Sequence, residues 1–118
     1  MLFQNLTRIA AFERVHMRYI RSREDWAIVI AIGEAAERRQ PMGYKQLSLL
    51  DIASPSTLTR KLKQLTSGDV IRRIAQPDDG RMVTYTLTKT TTDAFRRYER
   101  LLRSLRWKRD NDDKGQER

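Results

Sequence analysis

Cysteine is missing from the 118 residues, which excludes disulfides, thiol nucleophiles and thiolate metal sites at once. A single histidine, His16, likewise excludes a histidine-based metal cluster and restricts nucleophile–base pairs. No glycine-rich phosphate loop occurs, and no two carboxylates fall at a spacing that would bury both on one helix face. No cofactor is therefore expected, and an enzyme is the poorest functional class. Long apolar runs are also absent. The longest, WAIVIAIG, is far short of the ~20 residues that cross a bilayer. The opening MLFQNLTRIAAF lacks the basic-then-apolar layout of a secretion signal. A cytoplasmic protein without membrane contact is the expectation.

What the chain does have is positive charge. It holds 24 Lys and Arg against 15 Asp and Glu, for a net charge of +9 and a pI near 10.5. Such a bias favours a polyanionic partner, nucleic acid first and an anionic membrane surface second. With 39% hydrophobic residues, the length suits one soluble domain, residues 1–107. The all-polar end, residues 108–118, reads as a disordered tail.

Periodicity predicts a first helix from Leu2 to Ile20 with two apolar stripes. One carries Leu2, Leu6, Ile9, Met17 and Ile20; the other carries Phe12, Val15 and Tyr19. Two apolar faces need two covering surfaces, and in so short a chain the second can belong to another copy. His16, near the first stripe, reads as an interface or core histidine. Ser22-Arg-Glu-Asp25 has capping-box spacing and opens a central helix, Trp26 to about Arg39. Pro41-Met-Gly43 breaks it, and a short helix from Tyr44 to Leu50 follows.

Next, Ser54 is placed to cap a helix over residues 55–67 with Pro55 at its first position. Leu58, Leu62 and Leu65 give that helix a buried stripe, while Ser56, Arg60, Lys63 and Gln64 lie opposite. Short helix, tight turn and amphipathic helix in succession make a helix-turn-helix. A strand over Val70–Ala75, a turn with Asp79-Gly80 as its strongest signal, and a strand carrying Val83, Tyr85 and Leu87 on one face form a hairpin. Thr88 caps a last helix striped with Ala94, Tyr98, Leu101, Leu102 and Leu105. The expected fold class is mainly α with a small β-hairpin: a winged helix-turn-helix of four helices, the wing, and a fifth helix.

A major groove about 12 Å wide admits one helix, which must present small hydroxyls at its start and long basic or amide side chains one turn later. Ser54, Ser56, Thr57, Thr59, Arg60, Lys63 and Gln64 supply both. Arg60 suits a guanine edge; Lys63, and beside it Lys61, suit phosphates. In the wing, residues 76–83, Arg81 is placed to enter the minor groove while Asp79 shapes the turn, through its amides or through Arg72 or Arg73.

The run STLTRKLKQLTSGDVIRRIAQPDDGRMVTYTLT resembles the MarR family of winged-helix transcriptional regulators. The resemblance rests on the Ser-Thr-apolar-Thr-Arg start, the Asp79-Gly80-Arg81 wing tip and Leu87-Thr88, and it extends from about Gln46 to Thr88. It implies double-stranded DNA as partner, with Ser56, Thr57, Thr59 and Arg60 at the major groove and Arg81 in the minor groove. It also implies a homodimer joined by the first and last helices, here through Leu2, Leu6, Ile9, Tyr98, Leu102 and Leu105. Many relatives release DNA when a small phenolic or lipophilic compound binds, so a small-molecule effector is a further implication. The chain departs from the pattern in three places. Gly68 sits one place early with Asp69 in the glycine's position, Thr91 replaces a common glycine, and the usual extra C-terminal helix is missing, as in a short variant. The reading is a dimeric repressor on a near-palindromic site. Its alternative is a winged-helix adaptor that binds protein without DNA-sequence specificity.

Overall fold

The computed structural model describes residues 1–76 and 79–107, apart from the side chains of residues 76 and 79–81. Its elements run α1 (Leu2–His16), α2 (Arg23–Glu37), β1 (Met42–Gly43), α3 (Tyr44–Leu49), α4 (Pro55–Ser67), β2 (Ile71–Gln76), β3 (Asp79–Leu87) and α5 (Lys89–Ser104). Contacts divide the chain into two compact units, one of residues 1–18 and 94–118, the other Tyr19–Asp93.

Tyr19–Asp93 holds the helix-turn-helix. The Ser22 capping box forms as its spacing predicts. Ser22 Oγ accepts from the Asp25 amide at 3.0 Å, and Asp25 Oδ2 accepts from the amides of Ser22 and Arg21 at 3.3 and 3.2 Å. Aspartate therefore does the work more often done by glutamate. From this cap α2 runs through the core and buries Ile28, Val29, Ile32 and Ala35, while Ile30 stays exposed. Leu47 of α3, the Leu58–Leu62–Leu65 stripe of α4, Val70, Ile71 and Tyr85 complete the core.

The sheet has three antiparallel strands in the order β1-β3-β2, one more than the expected hairpin. Met42 pairs with Tyr85 and Gly43 with Thr84. Two residues are too few to show a period, which is why the sequence reads them only as a break. The turn signal also needs correcting. Asp79 and Gly80 belong to β3, and Gln76 pairs with Asp79. The register shifts between Ala75, opposite Val83, and Gln76, so an irregularity in β3 absorbs the surplus residues and pairing continues past the Asp-Gly. Pro77, Asp78 and the tail of residues 108–118 lie outside the described residues.

Helix ends in this unit share one device. Arg39, Asp51 and Asp69 each follow a helix with positive φ (57°, 55° and 61°). After α4 the Val70 amide donates to the Leu65 carbonyl at 2.9 Å and the Asp69 amide to Thr66 at 3.1 Å. This is the paired closure of a left-handed helix end. Gly68 itself has φ −82°, so the left-handed residue is Asp69. Where α5 begins, Thr88 Oγ1 donates to the Asp69 carbonyl (2.8 Å) and accepts from the Thr91 amide (3.3 Å), and Thr91 Oγ1 donates to the Val70 carbonyl (2.8 Å). A glycine at 91 could not make that last bond.

In the other unit, α1 ends at His16, four residues before its apolar period does. Met17, and Ile20 at the start of the helix-turn-helix unit, are buried outside the helix, so burial rather than helical continuity accounts for them. His16 is exposed, with its ring 4.4 Å from that of Phe12, which rules out a core position. Asn5 is the buried residue of α1; its Nδ2 donates to the Arg106 carbonyl at 2.7 Å. Tyr98 of α5 donates its hydroxyl to Glu13 at 2.7 Å, and its ring lies 5.6 Å from Phe12. Burial, then the hydrogen bond and charge of Glu13, push the Tyr98 phenol up to about 12.

Candidate nucleic-acid interface

The interface builds outward from the start of α4. Ser54 has extended backbone (φ −62°, ψ 157°), and its Oγ accepts from the Thr57 amide at 3.3 Å and donates to Thr57 Oγ1 at 3.0 Å. Pro55 follows at the first helical position, where no N–H is needed. The helix thus starts cleanly: Ser54 takes the amides of Thr57 and Leu58, which leaves that of Ser56 for an approaching anion.

At ~100° per residue, Ser56, Thr59, Arg60, Lys63 and Gln64 fall within an arc of roughly 140° opposite the leucines. All five are exposed, and Thr57 is half-buried. Arg60 and Lys63 make no ion pair among the described residues. The leucine stripe therefore fixes which side of α4 faces outward, and that side is hydroxyl, amide and cation.

Lys61 does not belong to it. Its ammonium lies 3.3 Å from Asp25 Oδ1 and 3.1 Å from Ser22 Oγ, with only 13% of the side chain exposed. It anchors α4 to the cap of α2 and has no room for a phosphate. Position 61 sits at the edge between the two faces, and only the partner helix decides its direction. Tyr44 is the residue sequence reasoning missed. Its hydroxyl donates to the Pro55 carbonyl at 3.3 Å and accepts from Thr59 Oγ1 at 3.4 Å, joining α3 to the first turn of α4. Nothing near Tyr44 in the sequence signals a partner 11 residues on.

In the wing, Arg72 and Arg73 are exposed on β2. Arg81 and Asp79 belong to β3 by backbone, but their side chains lie outside the described residues. Of the predicted dimerisation residues, Leu2, Leu6 and Leu102 are exposed, Ile9 and Tyr98 half-buried, and Leu105 buried. Among the described residues no acidic–histidine group could hold a metal, and no helix is long and apolar enough to cross a membrane.

A short helix, a turn, an amphipathic helix and a ribbon backed by a third strand define one architecture. The chain has the winged helix-turn-helix fold. Solved structures bear this out. A protein of Pseudomonas aeruginosa described as a "probable transcriptional regulator" is similar over 98% of this chain and 89% of its own, with 24% identity and a TM-score of 0.52. The adhesin competence repressor AdcR of Streptococcus pyogenes is similar over 88% of this chain and 81% of its own, with 16% identity and a TM-score of 0.52. At these identities the likeness is one of fold. No protein-family profile and no curated protein sequence matches the chain.

Proposed function

We propose that this winged helix-turn-helix chain is a sequence-specific DNA-binding transcriptional regulator, acting as a homodimeric repressor. One observation carries the reading: the outward side of α4 gathers Ser56, Thr59, Arg60, Lys63 and Gln64, all exposed, and of these side chains Thr59 alone is tied to another element, through Tyr44, among the described residues. In a major groove Arg60 would bond a guanine edge and Gln64 an adenine edge, each contact worth about 1–3 kcal/mol of discrimination. Ser54, Thr57 and the hydroxyl and amide of Ser56 would meet phosphate, as would Lys63. Arg81 would enter the neighbouring minor groove, with Asp79 holding the wing's shape.

Two copies would read half-sites about one helical turn apart on a near-palindromic duplex. The excess apolar surface on α1 and α5 supports the dimer. The MarR resemblance adds a small-molecule effector as the signal that releases DNA.

The test begins by selecting a target from random duplexes. On that target Arg60→Ala should weaken binding by about 5- to 150-fold and relax one base position, the range that about 1–3 kcal/mol implies. Arg81→Ala should weaken it as well. If Arg81→Ala binds like wild type, the wing has no part in recognition. If selection returns no preferred sequence, the protein-binding adaptor is the better reading.

A further inference from the structure

Most of the net positive charge lies outside the helix-turn-helix unit. Residues 19–93 hold 12 Lys and Arg against 9 Asp and Glu, whereas residues 1–18 and 94–107 hold 8 Arg, no Lys and 2 Glu. Both glutamates are engaged. Glu13 accepts the Tyr98 hydroxyl, and Glu99 pairs with Arg103 at 3.0 Å. DNA reading by α4 and the wing leaves this second concentration of charge without a role.

On α5 it forms a stripe. Arg96, Arg97, Arg100 and Arg103 are all exposed and, at ~100° per residue, fall within an arc of roughly 120° opposite Ala94, Tyr98 and Leu105. This is a poor arrangement for the helix alone. Arg96 and Arg100 are four apart, while Arg97–Arg100 and Arg100–Arg103 are three apart. Like charges at those spacings destabilise a helix by about 0.2–0.5 kcal/mol per pair. The helix dipole favours a cation in the last turn, which covers Arg103 but not Arg97 or Arg100.

We propose that this stripe is a second, sequence-independent binding face for the phosphodiester backbone of nucleic acid. Three features select that partner. The stripe is arginine throughout, and a guanidinium fork matches two phosphate oxygens as an ammonium does not. The spacing offers cations along about 10 Å of helix, enough to meet successive phosphates. A membrane surface fits less well, because a helix lying in a bilayer needs its apolar side free. Here Leu105 is buried and Ala94, Phe95, Tyr98 and Leu101 are half-buried, while the more open Leu102 points away from the stripe. The inference takes the identity of the polyanion from the proposed function and uses none of the α4 contacts.

The test compares the full chain with its Arg97→Gln/Arg100→Gln/Arg103→Gln variant. Binding to the selected duplex and to a scrambled duplex is measured across a salt series, with circular dichroism to verify the fold. Each lost phosphate contact should flatten the log–log slope by about 0.9, so the variant's slope should shrink by about 2 to 3 on both duplexes while their affinity ratio stays constant. Glu99→Gln, which frees Arg103, should move the slope the other way. If the triple variant keeps the wild-type slope, the stripe touches no phosphate and the inference fails, although the regulator reading stands. If the wild type ignores duplex altogether, both fail. Binding of the wild type but not the variant to phosphatidylserine vesicles, with equal slopes on DNA, would overturn the inference in favour of lipid.

Discussion

Asp69 occupies a backbone conformation that L-residues avoid, and it does so directly beside a glycine that does not need its freedom. The left-handed region costs a residue with a Cβ about 1–2 kcal/mol, somewhat less for Asp and Asn, and costs glycine nothing sterically. Gly68, with φ −82°, makes no use of that freedom, and what favours glycine there is the Gln64 carbonyl oxygen, 3.3 Å from where a Cβ would stand. Asp69→Gly should therefore stabilise the protein by about 0.5–1 kcal/mol, because the relief of strain outweighs the added freedom of the unfolded chain. Urea unfolding should show a higher midpoint at constant slope. The bonds that converge here use the backbone of residue 69, so they survive the change: the Thr88 hydroxyl still donates to its carbonyl. That knot also explains Thr91, whose hydroxyl bonds the Val70 carbonyl, a role open to threonine and closed to glycine.

Elements were legible in the sequence where a single helix or strand carried the whole signal. The α4 stripe, its Ser54-Pro55 start, the Ser22 capping box and the Thr88 cap are all local patterns, and each formed. What local pattern could not supply was a partner. Strand β1 exists only because Met42 and Gly43 meet β3, and Lys61 turns inward only because the cap of α2 waits for it. Likewise Asn5 is buried by a carbonyl 101 residues away. Lys61 gives the sharper prediction. Lys61→Met removes one partner of a pair in which the two side chains are 13% and 9% exposed, while Asp25 keeps its two backbone donors. The loss should be about 2–4 kcal/mol, most of it the penalty of leaving a desolvated carboxylate. Measured at a temperature where the variant is folded, the salt slope of DNA binding should equal that of wild type. A slope lower by about 0.9 would return Lys61 to the phosphates.

For the whole molecule, assembly turns on the apolar surface of α1. Leu2, Phe3 and Leu6 are 52%, 76% and 43% exposed, and Leu102 of α5 is 37% exposed. Side chains of this size left open along one short helix are the kind of surface that a second copy covers. Light scattering at micromolar concentration should give the mass of two 13.9 kDa chains, and Leu6→Lys with Leu102→Lys should reduce it to one. A wild-type monomer would end the dimer reading and leave single-site binding. Leu105 takes no direct part in that prediction, since it is already buried within its own chain. Gly43 has a consequence of a different kind. A methyl group on it would stand 2.7 Å from the Val83 carbonyl oxygen, which is backbone and cannot swing aside. The seam between α3 and the ribbon thus admits nothing larger than hydrogen. If the protein reads DNA as proposed, retargeting it to another duplex would have to proceed by exchanging side chains on α4 or lengthening the ribbon at its far end, because its root has no slack.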